Sequence, residues 1–229
     1  MALRPRSTVP AAALLVALGS VPVALLAQQS PEGWHWVPDA PATLVTSQEV
    51  PDGSFRFVEM APGWHITSGP GVVLYHPRHN IDGIAATGSF VVRSEIFLFP
   101  DSRDGEYGVF LAGKNLSTDA REYLAFLLRR DGSAAVLHRV GGETHEVWPW
   151  TAADSAARLE AGNGPAKNVL TVDVTPTQVS FLVNGGLVAT LPRSMATVEG
   201  TIGFRAGPKV NLHASTLDLT FRLAPARQP

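Results

Sequence analysis

Hydrophobic and polar positions alternate with a period of two in the C-terminal third of this chain. Leu170, Val172 and Val174 alternate with Thr171 and Asp173, and Leu217, Leu219 and Phe221 alternate with Asp218, Thr220 and Arg222. This is the pattern of strands with one apolar and one polar face. Between them, Val179-Ser-Phe-Leu-Val-Asn-Gly-Gly-Leu-Val-Ala-Thr-Leu-Pro192 places Asn184-Gly185 between two apolar runs. A two-residue type I′ loop needs φ > 0 at both positions, which Asn and Gly tolerate best, so this segment predicts an antiparallel hairpin. Asp131-Gly132 and Gly141-Gly142 repeat the signal, joining predicted strands at 123–129, 134–140 and 144–148, with 107–112 before them. Consecutive hairpin-linked strands make a meander.

Upstream, short strands at 55–60, 64–67 and 72–75 are separated by Pro62-Gly63 and Gly69-Pro70-Gly71, the rhythm of sandwiches and barrels. A longer apolar run at 90–99, broken by Arg93 and Glu95, predicts a central strand covered on both faces for part of its length. Residues 28–50, rich in Pro and Ala and containing Trp34-His35-Trp36, predict a lead-in lying across the domain. Only 151–161, with Asp154, Ala156, Ala157, Leu159 and Glu160, has the composition of a helix. The fold class expected is therefore all-β with one short helix.

At the N-terminus, Arg4 and Arg6 precede an apolar run from Val9 to Ala27 that ends before Gln28-Gln29-Ser30. That is the pattern of a secretory signal peptide cleaved near Ala27, giving a secreted or periplasmic protein; the rival reading is a retained membrane anchor. With no cysteine, neither lipid attachment nor a disulfide is available, and stability must come from the core. Removing residues 1–27 of 229 leaves 202, a length that suits one large β domain. Hydrophobic residues at 45% and charged residues at only 17% fit a chain with much sheet to bury. Loss of Arg4 and Arg6 takes the formal charge from −2 to −4, and the remaining basic residues are scattered, which argues against a nucleic-acid partner. No second apolar segment suggests a membrane span. Oligomeric state is not legible.

Gly63-Trp-His-Ile-Thr-Ser-Gly-Pro-Gly71, Glu106-Tyr-Gly-Val-Phe110, the strand starting at Lys167-Asn168, Phe181-Leu-Val-Asn-Gly185 and Asn211-Leu-His213 together resemble concanavalin A-like, laminin G-like jelly-roll domains of exported bacterial proteins. The likeness runs from about residue 50 to 223. It is strongest to uncharacterised members and more distant to the 3-keto-disaccharide hydrolase domains. The resemblance implies a two-sheet antiparallel jelly-roll sandwich whose concave sheet binds sugars. Together with the N-terminal pattern, it divides the chain into a signal peptide (1–27), a lead-in (28–50), the sandwich (51–223) and a tail (224–229).

Catalytic chemistry finds little support. Glycoside hydrolysis needs two carboxyls flanking the scissile bond, and the Glu-x-Asp-x-Glu run of glucanases of this fold is absent. Glu95 has the cation Arg93, not a second carboxyl, as its same-face neighbour, the pattern of a structural ion pair. There is no Gly-x-Ser-x-Gly elbow, phosphate-binding loop or His-Glu-x-x-His pair. His76 and His79 bring two imidazoles close in sequence without an evident third ligand for a metal. Asp101, Asp104 and Glu106 are a candidate calcium set, with a solvated acidic turn as the alternative. His213 reads either as a satisfied core histidine or as a ligand group, and Asn115-Leu-Ser117 has the form of a glycosylation sequon but is discounted on 15 Arg against 3 Lys and the bacterial resemblance.

Sugar recognition commonly stacks a pyranose on a flat ring, so Trp34, Trp36, Trp64, Trp148 and Trp150 are weighed against simple core packing. Polar residues set in apolar strands give the candidate ligand contacts: Arg93, Glu95, Tyr107, Lys114, Tyr123 and Arg129, with Trp64 and His65 from the resemblance motif. The favoured function is a non-catalytic exported module binding a carbohydrate or another extracellular ligand. The alternatives are a hydrolase acting on a modified sugar and a structural or adhesion domain with an apolar surface patch.

Overall fold

The computed structural model describes residues 29–83, 88–103 and 105–222. The expected signal segment 1–27, the cleavage site near Ala27 and the tail 224–229 lie outside the described residues. Among the described residues, no helix is long and apolar enough to cross a membrane.

Sixteen strands follow one another: β1 (His35–Pro38), β2 (Thr43–Val45), β3 (Ser54–Glu59), β4 (Trp64–Ser68), β5 (Val72–Asn80), β6 (Ser89–Leu98), β7 (Tyr107–Lys114), β8 (Glu122–Leu128), β9 (Ser133–Val140), β10 (Glu143–Ala152), β11 (Ala166–Val174), β12 (Gln178–Val183), β13 (Gly186–Pro192), β14 (Thr201–Ala206), β15 (Asn211–Ala214) and β16 (Asp218–Arg222). They form two sheets. One has seven strands in the order β1-β5-β14-β7-β8-β9-β10. The other has nine, in the order β13-β12-β11-β6-β15-β4-β3-β2, with β16 also pairing β6. All pairings are antiparallel except β2 with β3. The meander expected from residue 107 to 148 is β7 to β10. Asn184 and Gly185 take φ of 49° and 83° and turn β12 into β13, the left-handed pair a type I′ loop requires.

Strand alternation builds the core. Val92, Ile96 and Leu98 of β6 and Leu170, Val172 and Val174 of β11 face Val109 and Leu111 of β7 and Leu124, Phe126 and Leu128 of β8. Phe55, Phe57, Phe90, Phe126 and Phe181 are fully buried, and each removes enough apolar surface from water to contribute about 2–3 kcal/mol. β6 alternates buried and partly exposed positions, so it is covered on one face rather than two. The lead-in is also part of the sheets: β1 pairs β5, β2 pairs β3, and Trp34 is buried against Phe57, Trp64 and Phe204.

The helix expected at 151–161 does not form. β10 continues to Ala152, and the chain then turns through a loop in which Ala153 and Leu159 are buried in the core. Tertiary partners replace the i→i−4 bonds a helix would need. Ala153 N donates to Gly132 O and Leu159 N to Arg130 O. Ala157 N donates to Asn168 Oδ1 at 2.8 Å, and Ser155 Oγ donates to Val183 O at 2.6 Å. Fully buried Asn168 also donates to Ala157 O at 2.9 Å and to Tyr107 Oη at 3.1 Å, and accepts from Asn184 Nδ2 at 2.9 Å. The weak helical propensity of this segment loses to these contacts. The sole helical turn among the described residues is the 3-10 turn Arg193–Met195.

Candidate functional site

A second hydrophobic cluster lies apart from the core. Its members, Val73, Phe110, Leu116, Tyr123, Ala125 and Leu127, with Tyr75, Leu137 and Trp150 packed against them, come only from the seven-stranded sheet and the β7–β8 connection. Parity explains them. On β8, Leu124, Phe126 and Leu128 point into the sandwich, so Tyr123, Ala125 and Leu127 point out. The Phe110 ring lies over Gly203 of the neighbouring strand, where a Cβ would come within 2.7 Å of it. Tyr123 packs on Phe110 with ring centroids 5.3 Å apart, and His35 stacks on Tyr75 at 5.3 Å. Phe110 and Leu127 are 0% and 2% exposed although no described strand covers this face; their neighbours on the same sheet and the β7–β8 connection pack over them.

Polar groups ring this apolar floor. Arg205, on β14 between inward-facing Phe204 and Ala206, turns outward, and its Nη2 reaches Asp39 Oδ2 at 2.5 Å and Glu106 Oε1 at 3.5 Å. Burial opposes its charge, yet Tyr123, Asp39 and Glu106 together hold its pKa above the ordinary arginine value. Its Nη1 is buried and has no hydrogen-bond partner among the described residues, a donor that burial makes costly to leave unused. Burial raises the pKa of the Tyr123 phenol, with the Arg205 charge opposing it. At the other flank the Arg129 guanidinium sits 3.7 Å from the centroid of the Trp150 ring. Such a face offers flat rings, donors and acceptors to a polyhydroxylated ligand.

The candidate contacts read from the sequence separate onto different faces. Tyr123 belongs to this one, and Arg129 joins its rim through Trp150. Lys114 is exposed at the end of β7. Tyr107 points inward and bonds Asn168, and burial raises its pKa. Trp64 packs inward against Trp34 and Phe204. Arg93, Glu95 and His65 lie on the nine-stranded sheet. There Glu95 pairs with Lys167 at 2.7 Å, not with Arg93. Sequence reasoning did not single out Arg205, Asp39 or Tyr75. The parity of Arg205 between two inward residues was the available signal, whereas its partner Asp39 lies 166 residues away.

The nine-stranded sheet carries a different polar group. His65 and His213 are cross-strand neighbours. Burial, with the charges of Arg56 and His213, lowers the His65 pKa to about 4. Thr67 Oγ1 donates to Asn211 Oδ1 at 3.2 Å, and Asn211 Nδ2 donates to both Asp101 carboxylate oxygens at 2.9 and 2.8 Å. Beside them a cleft of about 440 Å³ opens at one end of the sandwich, lined by Pro41, Asp52, Thr67, Asp101, Arg103 and Lys209. Of the candidate calcium set, Asp101 faces Asn211, Glu106 faces Arg205 on the other sheet, and Asp104 lies outside the described residues. Among the described residues no group of three or more His, Cys, Asp or Glu is placed to hold a metal ion. His76 and His79 sit 5.4 Å apart, ring to ring, next to Trp34.

No protein-family model matches the chain, and no curated protein matches it by sequence. Solved structures do. The carbohydrate-binding module CBM66 from Bacillus subtilis aligns with a TM-score of 0.57 at 12% identity, over 82% of this chain and 95% of that one. A mixed-linkage glucan GH16 protein of Bacteroides ovatus, in complex with a G4G4G3G product, gives 0.54 at 8% identity, over 84% and 96%. The VIP36 exoplasmic/lumenal domain, in its Ca2+/Man3GlcNAc-bound form, gives 0.53 at 11% identity, over 86% of each chain. At such identities the likeness is one of fold. In fold, the protein is a concanavalin A-like jelly-roll sandwich.

Proposed function

We propose that the protein is an exported, non-catalytic module that binds glycan on the outer face of its seven-stranded sheet. The observation that carries this reading is the buried, unpartnered Nη1 of Arg205 beside Tyr123, within a face that also presents Tyr75 and Trp150. The printed ligands and names of the neighbouring structures, a carbohydrate-binding module and a Man3GlcNAc-bound domain among them, support it. Export rests on the N-terminal pattern of Arg4, Arg6 and the apolar run to Ala27. Tyr123, Arg129 and Arg205 are the contacts assigned to the ligand.

The hydrolase reading has one observation in its favour. Asp39 and Glu106 both contact the same Arg205 nitrogen, at 2.5 and 3.5 Å, which brings two carboxyls as close together as glycosidase chemistry requires. Both, however, are engaged as acceptors of that guanidinium, and neither is free to deliver a proton to a leaving group. Binding therefore ranks first. A glycan array at millimolar ligand tests it with two proteins, wild type and Trp150→Ala. Binding by the wild type that weakens in the variant supports the assignment. Absence of binding by correctly folded wild type sinks it.

A further inference from the structure

The chain as a whole is negative, at −2, yet the outer face of the seven-stranded sheet gathers arginines. The outward parity of β8 extends beyond its ends: Arg121, Tyr123, Ala125, Leu127 and Arg129 share it, and Arg139 on β9 lies directly opposite Tyr123. Arg205, Arg139 and Arg121 all act electrostatically on the Tyr123 phenol. Asp39 and Glu106 are both engaged by Arg205. Glu146 stands opposite Leu137 on the edge strand and makes no ion pair with any of these arginines.

None of the other three arginines makes an ion pair among the described residues. Arg139 donates through Nε to Gly141 O at 2.6 Å and through Nη1 to Thr144 Oγ1 at 3.2 Å, both neutral oxygens, and keeps Nη2 free. Arg129 lies over the Trp150 ring and acts electrostatically on Asp131 without forming an ion pair with it. Arg121 makes no side-chain hydrogen bond or ion pair. Each is half-buried rather than fully solvated. Guanidinium is weakly hydrated and matches carboxylate and sulfate oxygens in a two-pronged fit. Eight residues of extended chain separate Arg121 from Arg129, roughly 26 Å at the rise of a strand, which is too far for one sugar ring to touch both.

We propose, resting on the glycan-binding reading above, that the ligand of this face is an acidic oligosaccharide with anionic groups on more than one residue. One acid group is held by Arg121 and Arg139 around the Tyr123 hydroxyl, and another by Arg129 above Trp150. Between them the partly exposed Leu137, across the ladder from Ala125, takes the faces of the intervening sugars. Carboxylate and sulfate share the recognition chemistry.

Isothermal titration of the full mature chain against three probes tests this: oligogalacturonate for carboxylate, chondroitin sulfate oligosaccharides for sulfate, and cello-oligosaccharides as the neutral control. Binding of at least one acidic probe is expected, weakened by raising the salt and about tenfold weaker in Arg121→Gln and in Arg139→Gln. The stronger acidic probe identifies the anionic group. Arg121→Gln removes no structural contact, so it remains informative if Arg139→Gln misfolds. Binding of cello-oligosaccharides equal to or tighter than the acidic probes, unchanged in Arg121→Gln, overturns the acidic specificity and leaves the glycan-binding face standing. No binding of any probe by a cooperatively folded protein overturns both.

Discussion

Replacing Arg205 by Met tests the charge cluster on the candidate face. The change keeps most of the aliphatic stem but removes the guanidinium that Asp39 and Glu106 share at 2.5 and 3.5 Å. The Arg205 side chain is 11% exposed, Glu106 22% and Asp39 37%. Removing one partner of a fully buried pair costs about 3–5 kcal/mol, whereas an exposed pair is worth about 0.2–1 kcal/mol. Asp39, more than a third exposed, is partly screened by water, so the Arg205→Met cost falls between, at about 2–3 kcal/mol. For a domain of this size that lowers Tm by roughly 5–10 °C. Urea denaturation followed by tryptophan fluorescence measures it. The same substitution made with Asp39→Asn and Glu106→Gln leaves no stranded carboxylate, and the triple variant recovers most of the loss. An Arg205→Met protein within about 0.5 kcal/mol of the parent, or a triple variant no more stable than the single one, refutes the reasoning.

Asn168→Ala strands the Ala157 N–H and C=O and the Tyr107 hydroxyl; at about 1–3 kcal/mol for each buried unpaired group, less where the loop relaxes into water, it costs about 4 kcal/mol, and chemical denaturation showing under 1 kcal/mol contradicts the role given to this side chain. The His65 pKa is depressed in the folded state, from an ordinary 6.5 to about 4, so its contribution to stability is complete above pH 6.5 and is lost as pH falls toward 4, by up to about 3 kcal/mol. His65→Gln therefore flattens the stability profile between pH 6.5 and 4, and identical slopes in variant and wild type rule the linkage out.

The strand plan was legible because it is written in local chemistry. Asn184-Gly185, Asp131-Gly132 and Gly141-Gly142 each specify a turn, and period-two alternation in β11 specifies its buried face. The helix at 151–161 was not legible as a loop, because what forbids it is a set of distant partners, Asn168, Val183 and Gly132, that only the fold brings near. The site suffered in a related way. β7 is buried on both faces from Tyr107 to Gly113, so its apolar run hides its parity, and Tyr107 looked available when it faces the core. Arg93 and Glu95 were read as sharing one face of their strand, but alternation does not say which sheet a strand will join, and β6 joins the nine-stranded one. Tyr123 and Arg129 shared parity in the sequence, and that parity does place them together. Arg205 acquires its meaning from Asp39 and Glu106, 166 and 99 residues away, a relation that no local pattern records.

The central claim is that ligand engages the outer face of the seven-stranded sheet. A two-dimensional NMR titration of the isotope-labelled protein with the acidic and neutral oligosaccharides tests it most directly, because it reads every strand at once. The account predicts ligand-dependent shifts of the Trp150 indole N–H and of the amides of Tyr123, Arg129, Arg139 and Arg205. Shifts confined to the nine-stranded sheet, at His65, Thr67, Arg93 or Asn211, with the Trp150 indole unmoved at saturation, would contradict it.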